Sequence, residues 1–173
     1  MACALTTGRE LPCKTGFGGI KYVYFADYGT LGTVTINADG TIDAMSGSPA
    51  WYQYDIKGNS SLETTINSSR ENGTTFYAQT LNLTLTYLDV ATQQEIQLLA
   101  VSRPHLVVED YYGNQFLCGY ENGVECTGGT IVTGAAAGDL SGFTLTFEGQ
   151  EEKGPYFVDA GVVTANAAQI TPN

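Results

Sequence analysis

Thr74–Asp89 reads TTFYAQTLNLTLTYLD, and its second half alternates strictly by side-chain chemistry. Leu81, Leu83, Leu85 and Tyr87 fall on one face, and Thr80, Asn82, Thr84 and Thr86 on the other. A period of two marks a half-buried β-strand, because successive Cβ atoms point to opposite sides of the sheet. The apolar face calls for a core. The other face is polar without carrying charge, in a chain whose formal net charge is −11.

Upstream, residues 52–67 repeat the pattern. Tyr52, Tyr54, Ile56, Leu62, Thr64 and Ile66 share one side, while Gln53, Asp55, Lys57, Asn59, Ser61, Glu63, Thr65 and Asn67 share the other. SSRENGT (68–74) supplies turn chemistry between the two runs. Residues 52–88 therefore read as one hairpin with arms of about 14–16 residues, roughly 45–50 Å at ~3.3 Å per residue. Ordinary strands run ~5–6 residues. Gly58, Asn59 and Ser60 form a soft spot where the outgoing arm can bend or bulge. A hairpin this long outgrows a small domain, so its outer half is expected to pack on a neighbouring chain or to be mobile when alone.

Outward from the hairpin, the remaining elements are short. Residues 1–19 read as an irregular arm, with Pro12 and the flexible GFGG at 16–19. IKYVYFADY (20–28) is a buried strand, and TVTINADGTIDAM (33–45) a hairpin turning on Asp39-Gly40. DVATQQEIQLLAVSRP holds the one convincing helix, expected over 92–102. Thr92 and Glu95 fit a capping box, Ile96, Leu99 and Ala100 form a stripe, and Pro104 is the stop. HLVVED (105–110) and QFLCGY (115–120) make a second hairpin, and GFTLTFEGQ (142–150) alternates through Phe143, Leu145 and Phe147. The expected organisation is an arm (1–19), a β-sandwich domain (20–158) and a small-residue tail (159–173).

Composition narrows the function. The 173 residues suit one domain, with 14% charged residues, 21 Gly and 11 Tyr. Between Pro104 and Glu152 there is no Lys or Arg, whereas Glu109, Asp110, Glu121, Glu125, Asp139, Glu148, Glu151 and Glu152 all lie there. Specific nucleic-acid binding needs cations for phosphates and is disfavoured. The first residues show no charged segment followed by an apolar one, so no secretory signal is expected. No apolar run approaches the ~18 residues of a membrane span. Cys3, Cys13, Cys118 and Cys126 are accordingly read as thiols in a reducing compartment.

No catalytic constellation emerges. GRELPCKT (8–15) approaches a phosphate-binding loop, but Cys13 replaces the second glycine and no strand precedes it. The lone histidine, His105, follows Pro104 at a strand start and reads as a surface or satisfied core residue. The cysteines lack zinc spacing, and NADGTID (37–43) lacks the length and terminal Glu of a calcium loop. Glu109/Asp110 and Glu151/Glu152 are adjacent, so in strands they point to opposite faces. No enzyme activity, cofactor or metal is expected.

The order of parts resembles the tail tube proteins of tailed bacteriophages. The likeness covers about residues 20–158 and rests on YLDVATQQEIQLLA after the long hairpin, EDYYGNQFLCGYENG as the next hairpin, and GGTIVTGAAAGDLSGFTLTFEGQE as the closing segment. The resemblance implies a mainly β fold, a tail-tube-like β-sandwich/barrel with one flanking α-helix and a long protruding hairpin. It implies homo-oligomeric, stacked hexameric rings in the virion, assembled in the host bacterial cytoplasm. Other tail and neck proteins would be partners, genomic DNA would pass through the bore without specific binding, and no membrane would be involved.

Carried over, the bore would be faced by Gln53, Asp55, Lys57, Asn59, Ser61, Glu63, Thr65, Thr80, Asn82, Thr84 and Thr86. Ser69, Arg70, Glu71 and Asn72 would touch the adjacent ring. Lys57 departs from a uniformly negative lumen, and the Cys-bearing arm has no assigned role. Other virion positions (head–tail connector, tail terminator, capsid decoration) share such folds, and a carbohydrate-binding sandwich is the reading outside virions.

Overall fold

The computed structural model describes residues 7–56 and 59–164. Eleven strands and one helix occur among them, in the order β1 (Ile20–Ala26), β2 (Val34–Ile36), β3 (Ile42–Met45), β4 (Tyr52–Asp55), β5 (Ser61–Ser69), β6 (Thr74–Thr86), α1 (Val90–Val101), β7 (His105–Asp110), β8 (Gln115–Cys118), β9 (Glu125–Val132), β10 (Gly142–Glu151) and β11 (Tyr156–Val158). They form a seven-stranded sheet, β2-β3-β11-β8-β7-β1-β4, and a four-stranded sheet, β5-β6-β10-β9. The mainly β expectation with one helix holds, and neither sheet closes into a barrel.

Alternation builds the core between the sheets. Leu81, Leu83 and Leu85 of β6 stand opposite Phe147, Leu145 and Phe143 of β10, and all six are buried. They meet Val23 and Phe25 of β1 and Leu106 and Val108 of β7 from the larger sheet. Phe25 and Phe147 pack with ring centroids 5.2 Å apart. A second cluster covers the far face of the larger sheet and contains Tyr24, Leu31, Ile42, Trp51, Val107, Leu117, Val158 and Val163. Val163 lies beyond the expected domain end at 158, and Asp159 N–H donates to the Ile42 carbonyl at 2.9 Å. Packing of the domain thus continues past residue 158, and residues 165–173 of the expected tail lie outside the described residues.

The long hairpin is the main correction. Residues 52–67 are not one strand: β4 pairs antiparallel with β1 in the larger sheet, and β5 pairs with β6 in the smaller. The chain crosses between sheets through buried Ile56, whose N–H donates to the Lys21 carbonyl at 3.1 Å. Asn59, at φ 24, and Ser60 complete the crossing. The Ser60 hydroxyl takes the Thr84 N–H at 3.0 Å, and the Asn59 carbonyl takes the Thr84 hydroxyl at 3.1 Å. Alternation keeps the same parity on both sides of the crossing, which is why it conceals the change of sheet.

The return arm is continuous as expected, but it ends at Thr86. Tyr87 sits at φ 68 with its ring exposed, and does not continue the Leu81–Leu85 face. Helix α1 starts two residues before the expected Thr92. Asp89 is the N-cap, its Oδ2 accepting the N–H groups of Ala91 and Thr92 at 3.1 and 3.2 Å. A carboxylate one turn earlier satisfies the free N–H groups before Thr92 can. Of the expected stripe, Ile96 is buried, Leu99 half-buried and Ala100 exposed.

The Asp39-Gly40 turn forms as read, with Gly40 at φ 86 and the Thr41 N–H donating to Asp39 Oδ1 at 3.0 Å. The arm described from residue 7 has no regular structure. It is tied down where Phe17 meets Tyr111 edge-on, ring centroids 4.8 Å apart.

Candidate functional surface

The outward face of the four-stranded sheet gathers most of the residues that the hairpin pattern singled out. In register, Ser61 faces Asn82, Glu63 faces Thr80, Thr65 faces Ala78, and Ser69 faces Thr74. The face continues onto β10, where Thr84 meets Thr144, Asn82 meets Thr146 and Thr80 meets Glu148. Thr130 and Glu125 of β9 complete it. Thr146 donates its hydroxyl to Asn82 Oδ1 at 3.2 Å across the β6–β10 pair.

Two properties set the surface apart. None of its four strands contains a Lys or Arg. Glu63, Thr80, Glu148 and Glu125 also form a single row across all four strands, which concentrates three carboxylates at one level. Like charges directly opposite, as in Glu148 and Glu125, cost stability in an isolated sheet. Arg103 pairs with Glu125 at 3.4 Å from outside the sheet, both side chains well exposed, so the pair contributes little.

Both edges of this sheet, β5 and β9, are unpaired among the described residues. The hairpin also overhangs its support, since β10 stops opposite Tyr77 and the ribbon continues to its turn. Ile66 is 63% exposed there and Phe76 38%. The turn itself is Arg70, Glu71, Asn72 and Gly73, with Gly73 at φ 63 and the Asn72 N–H donating to the Ser69 hydroxyl at 3.3 Å. Ser69, Arg70, Glu71 and Asn72 thus stand together at the tip. An exposed, partly apolar β-ribbon is a strong template for pairing with another chain.

Gln53 and Asp55 do not join this surface. They pair in register with Tyr24 and Tyr22 on the far face of the larger sheet, and Gln53 Nε2 donates to Asp55 Oδ1 at 2.7 Å. Asn59 lies at the crossing rather than in a strand, and Lys57 lies outside the described residues. The reading therefore identified the β5 and β6 members of the face and missed those of β9 and β10. Alternation in GFTLTFEGQ carried the missing signal, through Thr144, Thr146, Glu148 and Gln150 opposite its core residues.

Elsewhere, His105, Cys118 and Glu151 are buried titratable groups. His105 is buried, its Nδ1–H donating to the Gly119 carbonyl at 2.6 Å and its ring stacked on Tyr28. Burial pushes the Cys118 thiol up to about 12, so it is a poor nucleophile. Glu151 is buried but accepts the backbone N–H groups of Glu121 and Asn122. Burial raises the Glu151 carboxyl against the opposing pull of those hydrogen bonds. Among the described residues no three His, Cys, Asp or Glu side chains converge on a metal-sized site, and no helix is long and apolar enough to cross a membrane. GRELPCKT is exposed and irregular, with no helix after it to present a phosphate cradle.

No protein-family model, curated protein or solved structure matches the chain.

Proposed function

We propose that this chain is a tail tube subunit of a tailed bacteriophage, assembling into stacked hexameric rings whose bore conducts DNA. The observation that carries the reading is the outward face of β5-β6-β10-β9, cation-free on its strands and bounded by two unpaired edges. Joining β5 of one copy to β9 of the next removes both edges, and a closed ring is the arrangement that leaves none.

Six such sheets of four strands make a ring of twenty-four. At ~4.8 Å per strand its circumference is at least about 115 Å and its backbone-to-backbone diameter about 37 Å, more once the strands tilt. Side chains narrow that opening but leave room for a duplex and its hydration shell. Hydroxyls and amides hold water, and the Glu63–Glu148–Glu125 row repels phosphate. Arg103 beside the strands is paired with Glu125, so DNA meets no free cation on these strands and slides. The overhanging tip, Ser69–Asn72, with exposed Ile66 and Phe76 behind it, reaches beyond the sheet toward the adjacent ring.

Negative-stain electron microscopy of the purified protein tests the proposal. Rings or tubes with a stain-filled centre are the expected result. A monodisperse monomer at millimolar concentration across a range of salts overturns it.

A further inference from the structure

The sandwich has two lateral openings, one beside each free edge of the small sheet. Helix α1 lies against β9 and fills that side, with Ile96 in the inter-sheet core and Leu99 packed on it. Among the described residues the side beneath β5 has no equivalent plug. There Leu62 and Thr64 look across an open, mainly apolar groove of about 540 Å³ toward Ile20, Val108, Phe116 and Phe157 of the larger sheet. Phe157 is half exposed on its rim.

Helix α1 presents the complementary anomaly. Opposite Ile96 its outward stripe is Val90, Gln94, Leu98 and Val101, spaced as one helical face. Val101 is 85% exposed, Val90 73% and Leu98 61%. A helix at a water interface places charge on that side, whereas the single charge in α1 is Glu95, off the stripe. Ile131, on the core-side face of neighbouring β9 opposite Phe143, is 58% exposed as well. Among the described residues, apolar surface is thus left uncovered at both lateral ends of one sheet, convex at one end and concave at the other.

We propose that α1 of one copy seats its Val90–Leu98–Val101 stripe in the groove beneath β5 of the next copy. This rests on the tube-subunit reading, because joining β5 to a neighbour's β9 carries the helix that lies against that β9 to the mouth of the groove. The occupant is a second copy of this chain, and the contact is heterologous: helix and groove are different patches, so each copy offers one of each. Contacts of that type propagate around a ring until it closes. One helix then serves two cores, closing its own sandwich with Ile96 and Leu99 and its neighbour's with the opposite face.

Two variants and their mixture test the contact. Leu98→Glu/Val101→Glu removes the helix stripe, and Phe157→Glu blocks the groove; Thr64→Glu replaces the latter if Phe157→Glu lowers the thermal midpoint of the monomer. All four positions are exposed or half-exposed, so each variant is expected to keep the wild-type circular dichroism spectrum. Sedimentation velocity should find each variant monomeric where the wild type assembles, with association weakened by at least about a hundredfold. Mixed in equal amounts, the two should form one-to-one dimers and nothing larger, since one intact helix meets one intact groove. Wild-type tubes accompanied by equally good tubes from Leu98→Glu/Val101→Glu sink this contact and leave the tube reading standing. A mixture that stays monomeric shows that helix and groove are not partners. A wild type that never assembles removes both.

Discussion

The imidazole of His105 accepts the backbone N–H of Gly29 through Nε2 at 3.0 Å. With Nδ1–H committed to the Gly119 carbonyl, this fixes one neutral tautomer and ties β7 to the loop after β1. Burial lowers the His105 pKa from its usual value, partly offset by the Gly119 hydrogen bond. Protonation would set an N–H against the Gly29 N–H, and Arg103, over the Tyr28 ring that stacks on His105, adds a cation nearby.

The sign of the pH dependence follows. A base with a depressed folded pKa contributes stability that is complete above the unfolded value of about 6.5 and is lost as pH falls toward the folded value. The thermal midpoint is expected to drop between pH 7.5 and 5.5, and His105→Gln should remove that component. Equal slopes for wild type and variant would contradict the assignment.

Asp89 rather than Thr92 caps α1. Asp89→Ala is expected to cost about 1 kcal/mol in denaturant unfolding, and Thr92→Ala within about 0.5 kcal/mol. The reverse ranking would restore the capping box at Thr92.

The two faces of the small sheet should respond in opposite ways. Phe147→Ala opens a cavity against Phe25 and Leu81 and should cost about 3–5 kcal/mol of monomer stability. Asn82→Ala, one residue along the paired strand, removes an exposed hydrogen bond to Thr146 and should cost less than about 1 kcal/mol. Urea unfolding of the monomeric Leu98→Glu/Val101→Glu background separates these values from any effect on assembly.

On the proposed reading, DNA slides past this face because its strands carry no cation. Converting its acidic row with Glu63→Lys and Glu148→Lys should create DNA binding that weakens steeply as salt rises, where the wild type shows none. Gel shifts at about 50 and 200 mM salt read this directly. Wild-type retention of duplex DNA at the lower salt would exclude a passive bore.

Thiol reactivity should follow burial. Cys13 is exposed and Cys118 buried, its thiol pushed up to about 12. Maleimide labelling at neutral pH with peptide mapping is expected to modify Cys13 within minutes and to leave Cys118 untouched until the protein unfolds.

Alternation, turn chemistry and punctuation were legible in the chain itself: the buried run after residue 20, the Asp39-Gly40 turn, the Leu81–Leu85 stripe with its polar reverse, and the hairpin at Tyr111–Asn114. These are local consequences of side-chain period and backbone φ, and each needs only a few neighbouring residues to express it. Tertiary structure decided which sheet each strand entered. Asp55 and Ser61 have the same pattern parity and still lie in different sheets, because only the packing of Ile56 and the Ser60–Thr84 hydrogen bond determines where the chain crosses. The same holds for the outward face: Thr80 acquires Glu63, Glu148 and Glu125 as row-mates through pairings up to 68 residues away, and alternation along one strand carries no information about who stands beside it.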